Sequence, residues 1–229
     1  MSLEDRTEAL SSKHEPAPRS FRKLLRDSRV YDWLNQTRNL LSWILWLAGR
    51  RDRVPHFVKR RVLRAYAARW AITSFVETGT YFGDMVNGLK RDFSKIQSIE
   101  LDPYLAQRAR RRFTRYPHVT ILQGDSATML PIALASIDVP TLFWLDAHYS
   151  GGITAQSDGE TPILTELEHI LSHRVIGHVV IIDDAGLFGT DPSYPTLEVL
   201  RSFVQKIGPE WRMEVRHDSV RLVRGREVA

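Results

Sequence analysis

From residue 74 onward the chain repeats one local grammar: a short apolar run, a turn, then a stretch of helical character. The apolar runs are Ser74 to Glu77, Ile96 to Glu100, Val119 to Gln123, Thr141 to Leu145 and His178 to Ile182. Between them lie helical patterns at Asp84 to Phe93, Pro103 to Tyr116, Ser126 to Ala135 and Pro162 to Ser172. Runs this short and this continuously apolar suit strands covered on both faces, and their alternation with helices implies a parallel sheet. The end of the chain breaks the rule. Thr196 to Ile207 reads as a helix, and Trp211 to His217 and Ser219 to Arg224 read as two strands joined at Asp218, an antiparallel hairpin. The expected fold is α/β: a doubly wound, mostly parallel seven-stranded sheet with a C-terminal antiparallel hairpin and an N-terminal helical extension.

The first strand runs into Glu77-Thr78-Gly79-Thr80-Tyr81-Phe82-Gly83-Asp84, a glycine-punctuated turn before a helix. Gly79 permits a tight turn and close approach of backbone to a ligand, and Gly83 permits the helix to sit close to the strand. Such a turn opens a nucleotide-type pocket, lined here by Glu77, Thr78, Gly79, Thr80 and Gly83. Glu100 ends the second strand 21 positions after Gly79, near the ~20 expected of an acid that accepts from ribose hydroxyls. Asp125, in Gln123-Gly124-Asp125-Ser126, can accept from an exocyclic amine, and the Ser126 amide opens a helix that can cap a ring nitrogen. Each acid has a plainer alternative: a surface carboxylate for Glu100, a helix N-cap for Asp125.

A dinucleotide site wants a glycine where this turn carries Tyr81, and Glu77 would repel phosphates. An acid at that position suits a ligand bearing an ammonium and a sulfonium, which points to S-adenosylmethionine. The segment from about Phe75 to Phe188 resembles the class I S-adenosylmethionine-dependent methyltransferases, through Val-Glu-Thr-Gly-Thr-Tyr-Phe-Gly, Ser-Ile-Glu-Leu-Asp, Gln-Gly-Asp-Ser and Phe-Trp-Leu-Asp-Ala-His. Tyr81 departs from the family's glycine signature. The resemblance implies that Glu77 and Gly79 hold the methionine part, Glu100 the ribose, and Asp125 with Ser126 the adenine.

Asp146 closes the fourth strand, His148 follows two residues later, and Asp183 and Asp184 close the fifth. Three carboxylates at adjacent strand ends suit Mg²⁺ with waters and acceptor oxygens completing its shell. The arrangement is similar to that of metal-dependent O-methyltransferases acting on catechols and on sugars. That resemblance implies a metal at Asp146, Asp183 and Asp184 that chelates a hydroxyl of a small-molecule, sugar or glycan acceptor, with Asp146 and His148 as catalytic residues and His148 as the base. Two other readings compete: a cofactor-binding module without turnover in a membrane-associated assembly, and a nucleotide-sugar or nicotinamide enzyme.

The 0 cysteines exclude disulfides, thiolate zinc sites and cysteine nucleophiles. The net charge of +5 is unevenly spread: residues 1 to 73 hold 16 Lys+Arg against 7 Asp+Glu, which leaves the remainder at −4. A mildly acidic sheet region, without an Asn-Pro-Pro-Tyr-like motif after the fourth strand, argues against nucleic acid as the substrate. The expected division is a flexible tail at 1–20, a basic, Trp-containing helical extension at 21–70, and the methyltransferase domain at 71–229. The apolar run from Leu40 to Ala48, with Trp43 and Trp46 between arginines, is too short to span a bilayer, which needs ~20 apolar residues. It reads as a helix packed on the domain, as a peripheral membrane contact, or as a homodimer contact. The location expected is cytoplasmic, with peripheral membrane attachment as the variant reading.

Overall fold

The computed structural model describes residues 54–146 and 162–224. The tail, the Trp43 and Trp46 segment with its expected membrane or dimer contact, and His148 lie outside the described residues. Helix α1 (His56–Arg69), which falls within the expected extension at 21–70, buries Leu63 and Ala67 in a core shared with the sheet.

The remaining elements follow the predicted alternation: β1 (Ser74–Thr78), α2 (Asp84–Leu89), β2 (Lys95–Glu100), α3 (Pro103–Phe113), β3 (Val119–Gln123), α4 (Ser126–Ala135), β4 (Thr141–Leu145), α5 (Pro162–Leu171), β5 (Val179–Ile182), α6 (Leu197–Ile207), β6 (Trp211–Arg216) and β7 (Ser219–Arg224). The strands form one seven-stranded sheet in the order β3-β2-β1-β4-β5-β7-β6. β1 pairs in parallel with β2 and β4, and β7 lies antiparallel to β5 and β6. Every residue of β1, β4 and β5 is buried.

Successive residues of these strands enter opposite cores, as the pleat requires. Phe75, Leu142, Trp144, Val179 and Ile181 meet α1, α2 and α3 on one face. Val76, Phe143, Leu145, Val180 and Ile182 meet α4, α5 and α6 on the other. This two-sided burial explains why the strands read as continuous apolar runs. Among the described residues no helix is long and apolar enough to cross a membrane.

The hydrogen-bond ladder aligns the strand ends. Asp146 N donates to Thr78 O at 3.2 Å, and Asp183 N donates to Leu145 O at 2.9 Å. The exits of β1, β4 and β5 are therefore laterally adjacent, which is where open parallel sheets bind ligands.

Candidate active site at the strand ends

The turn after β1 is held from below. Gly79 N and Thr80 N both donate to Ile99 O, at 2.9 and 3.1 Å. Gly79 has φ +86°, and a Cβ there would stand 3.3 Å from the Asp146 Cβ, so the glycine is needed both for the turn and for the passage of β4's exit. Tyr81 also adopts left-handed backbone, φ +50°, and the residue is 58% exposed. A bulky residue thus performs a glycine's backbone role, and its side chain escapes into solvent. Gly83 caps α2 at φ +74°, and its missing Cβ makes room for the Phe113 ring of α3, which a Cβ would approach to 2.8 Å. The close neighbour is a helix side chain and not the strand that the sequence suggested.

Glu100 binds this turn through Oε2, which accepts from Tyr81 N at 2.6 Å, while Oε1 accepts from Asp102 N at 2.9 Å in the loop after β2. Burial pushes its pKa up, and these main-chain bonds oppose the rise. A carboxylate offers about four acceptor positions, and the Tyr81, Asp102 and Leu101 amides together occupy most of them. In a dinucleotide site the turn amides face the phosphates, whereas here the Tyr81 amide faces Glu100.

Glu77 is 2% exposed and points along the sheet to Ser98, its partner in the β1–β2 register. Ser98 Oγ donates to Glu77 Oε2 at 2.7 Å, and Thr80 Oγ1 lies 2.5 Å from Ser98 Oγ. With Ser98 donating to the carboxylate, Thr80 donates to Ser98. Burial drives the Glu77 carboxyl well above the usual range, against the Ser98 hydrogen bond, with Asp146, Glu100 and Asp84 adding to the rise. In the described structure Glu77 braces the turn from behind. A cationic ligand above the turn would draw it toward the ionised form.

Asp125 is the N-cap of α4, with Oδ1 accepting from Ala127 N at 3.0 Å and Thr128 N at 3.3 Å. The plain N-cap alternative is therefore realised, and the carboxylate retains a second oxygen for a ligand amine. Beside it sits a residue that the motifs did not single out. Glu166 of α5 is 4% exposed and accepts from the hydroxyls of Ser126 and Thr78; burial raises its pKa to about 7, Asp125 and Asp146 add to the rise, and the two hydroxyls oppose it. The sequence signal was an acid inside an apolar stripe, with Ile163, Leu167 and Ile170 on the same buried face. A core-facing carboxylate needs partners, and here they are two residues of the expected cofactor pocket.

Asp146, Asp183 and Asp184 come together as expected, each offering an oxygen within 4.8 Å of the others. Their donor chemistry is that of a hard divalent ion. A second residue missed in the sequence stands among them: Lys59 of α1, whose Nζ is 2.5 Å from Asp183 Oδ2 and 3.5 Å from Asp184 Oδ1. Burial alone would lower the Lys59 pKa, but Asp183 first, then Asp184 and Asp146, raise it overall. Asp183 is pushed up to about 7 by burial, against the attraction of Lys59. With an ammonium already ion-paired to two of the three carboxylates, the cluster as folded does not fit a bound Mg²⁺. A separate concavity of about 320 Å³, lined by Arg201, Gln205, Trp211 and Met213, lies between α6 and β6 and shares no residue with this site.

No family model and no curated protein matches the chain. Among solved structures it is similar to an O-methyltransferase from Bacillus cereus in complex with SAH, at 16% identity and TM-score 0.55, with 89% of this chain and 96% of that one covered. It is likewise similar to the O-methyltransferase TomG from Streptomyces achromogenes, involved in tomaymycin synthesis and in complex with SAM, at 18% identity and TM-score 0.51, over 98% and 99% of the two chains. A third is the SAH-bound methyltransferase PaMTH1 from Podospora anserina, at 16% identity and TM-score 0.52, over 82% and 88%. The chain has the Rossmann-like fold of the class I methyltransferases.

Proposed function

We propose that this chain transfers the methyl group of S-adenosylmethionine to a hydroxyl of a small molecule or of a sugar or glycan. The observation that carries the reading is the turn after β1, closed onto Glu100 by the Tyr81 amide and opening beside Asp146. This places the acid expected at the ribose against the glycine turn and turns a backbone donor away from any pyrophosphate. Three structures of the same fold hold S-adenosylmethionine or its product, which supports the same ligand here.

In this reading the Gly79 and Thr80 turn holds the methionine part over Glu77, Glu100 accepts from the ribose, and Asp125 accepts from the adenine amine beside Ser126. Asp146 borders the acceptor space. The acceptor oxygen attacks the methyl carbon in line, the carbon–sulfur bond breaks, and its electron pair neutralises the sulfonium to give S-adenosylhomocysteine. The hydroxyl proton passes to a base, assigned on sequence to His148. A divalent ion at Asp146, Asp183 and Asp184 would polarise the hydroxyl, but Lys59 is already paired to the Asp183 and Asp184 oxygens.

The test is calorimetry with S-adenosylmethionine and with NAD, followed by assay of S-adenosylhomocysteine formation with hydroxyl-bearing acceptors. Micromolar binding of S-adenosylmethionine, no heat from NAD, and turnover lost in Asp146→Ala are expected. Binding of NAD in preference to S-adenosylmethionine would sink the reading.

A further inference from the structure

The acceptor side of the site contains a cation supplied by the chain itself. Lys59 lies 124 residues before Asp183, on a helix anchored by buried Leu63 and Ala67. Its side chain is only 12% exposed. Among the described residues its partners are the Asp183 and Asp184 carboxylates and, at 6.0 Å, the face of Trp144 on β4. An ammonium has three donors, so one N–H is left for an oxygen in the cleft.

We propose that the Lys59 ammonium is the resident cation of the acceptor site and holds and activates the acceptor oxygen in place of a divalent metal. The proposal rests on the methyl-transfer reading above. Three carboxylates whose oxygens lie within 4.8 Å of one another repel unless a cation stands among them. Lys59 supplies it. A Mg²⁺ ion binds carboxylate oxygens at about 2 Å, so an ion on Asp183 would share with the ammonium the space around Oδ2. Two cations within a few ångströms in a partly desolvated site repel strongly, so occupancy by one excludes the other.

The chemistry needs no proton from Lys59. Its free N–H donates to the acceptor oxygen and stabilises the negative charge that develops as the hydroxyl proton leaves for the base. The oxygen then attacks the methyl carbon, the carbon–sulfur bond breaks toward sulfur, and the ammonium remains charged throughout. Asp183 and Asp184 orient the ammonium, and Trp144 limits its swing. The same site would therefore perform with a fixed point charge what a divalent ion does in the metal-dependent O-methyltransferases that the strand-end acids resemble.

The experiment follows Mn²⁺ binding by the loss of its free spin-resonance signal, in the full chain and in Lys59→Met and Lys59→Arg, alongside turnover with and without chelator. The expected result is that Lys59→Met binds Mn²⁺ at least about tenfold more tightly than wild type, because the like charge has gone. Lys59→Arg, which keeps the charge, should bind as weakly as wild type. Chelator should leave wild-type turnover unchanged. Lys59→Met should lower kcat by about 10²-fold, the scale for loss of one preorganised donor, while S-adenosylmethionine affinity stays within about twofold. Micromolar Mn²⁺ binding by wild type together with loss of turnover on chelation overturns the proposal, and this holds even if Lys59→Met fails to fold. Absence of turnover with every acceptor counts against the methyl-transfer reading, while the Mn²⁺ comparison separately decides which cation the carboxylates hold.

Discussion

The Tyr81 amide donates to Glu100 Oε2 at 2.6 Å, joining the turn after β1 to the end of β2. The same carboxylate holds the Asp102 amide through its other oxygen, so one side chain orders two loops. A residue expected only to meet a ribose therefore also builds the wall against which the cofactor would rest.

Glu100→Ala leaves both amides without their acceptor, at a cost of about 2 kcal/mol in stability. The turn loosens, and S-adenosylmethionine affinity falls by at least about tenfold, which corresponds to ~1.4 kcal/mol. Denaturant unfolding and calorimetry measure the two effects. Unchanged affinity in a folded Glu100→Ala protein would remove Glu100 from the site.

Gly83→Ala meets two penalties: left-handed backbone, worth about 1–2 kcal/mol for a residue with a Cβ, and the Phe113 ring at 2.8 Å. Only the second depends on Phe113. In a double-mutant cycle Phe113→Leu should offset part of the Gly83→Ala loss, with a coupling of about 1 kcal/mol. Strict additivity would place the whole cost in the backbone.

Glu166 carries a pH signature. Its pKa rises from 4.5 to about 7 on folding, through burial first. Below 4.5 it is protonated in both states; as pH rises toward 7 the unfolded chain ionises while the folded one resists, so stability is lost across that window. Glu166→Gln removes the titration. Between pH of about 4 and about 7.5 the variant should gain on wild type by up to about 3 kcal/mol. Parallel unfolding curves at the two pH values would show that Glu166 ionises as freely in the fold as outside it.

His178 acts in the opposite sense at the far end of the sheet. Burial first, then His173, lowers its pKa from 6.5 to about 4. Its Nδ1 accepts from Thr141 N at 3.0 Å, so Nε2 carries the proton and donates to His173 Nδ1 at 2.9 Å. Stability is complete above 6.5 and declines as pH falls toward 4, because the unfolded chain takes up the proton first. His178→Asn keeps an acceptor for Thr141 and should flatten that decline in thermal unfolding. An equally steep decline in the variant would assign it to other groups.

Much of this architecture was legible in the residues, because strand and helix signals are local. Continuous apolar runs of about strand length, separated by helical patterns, announce a sheet covered on both faces, and Asp218 marked the turn of the terminal hairpin. Gly79, Glu100, Asp125 and the three aspartates could be placed at one edge because parallel strands all exit there, so an acid ending a strand is positioned by topology alone. The packing of helix α1 was less legible. It falls within the expected basic extension, and burial of Leu63 and Ala67 places it in a core shared with the sheet.

Tertiary structure decided which distant groups meet. Lys59 reaches Asp183 because α1 packs on the β4 side of the sheet, a matter of layer order that carries no local signal. Glu166 was one acid among helix residues until α5 turned it toward Thr78 and Ser126. Tyr81 looked like a defect in the glycine turn, and its left-handed backbone and exposed position show how the turn accommodates it. The sequence by itself determined where strands end and which of them end on acids, since both follow from short-range periodicity and chain direction. Which cation stands among those acids depends on side chains brought together from opposite ends of the domain, and only the packing of the folded chain sets that.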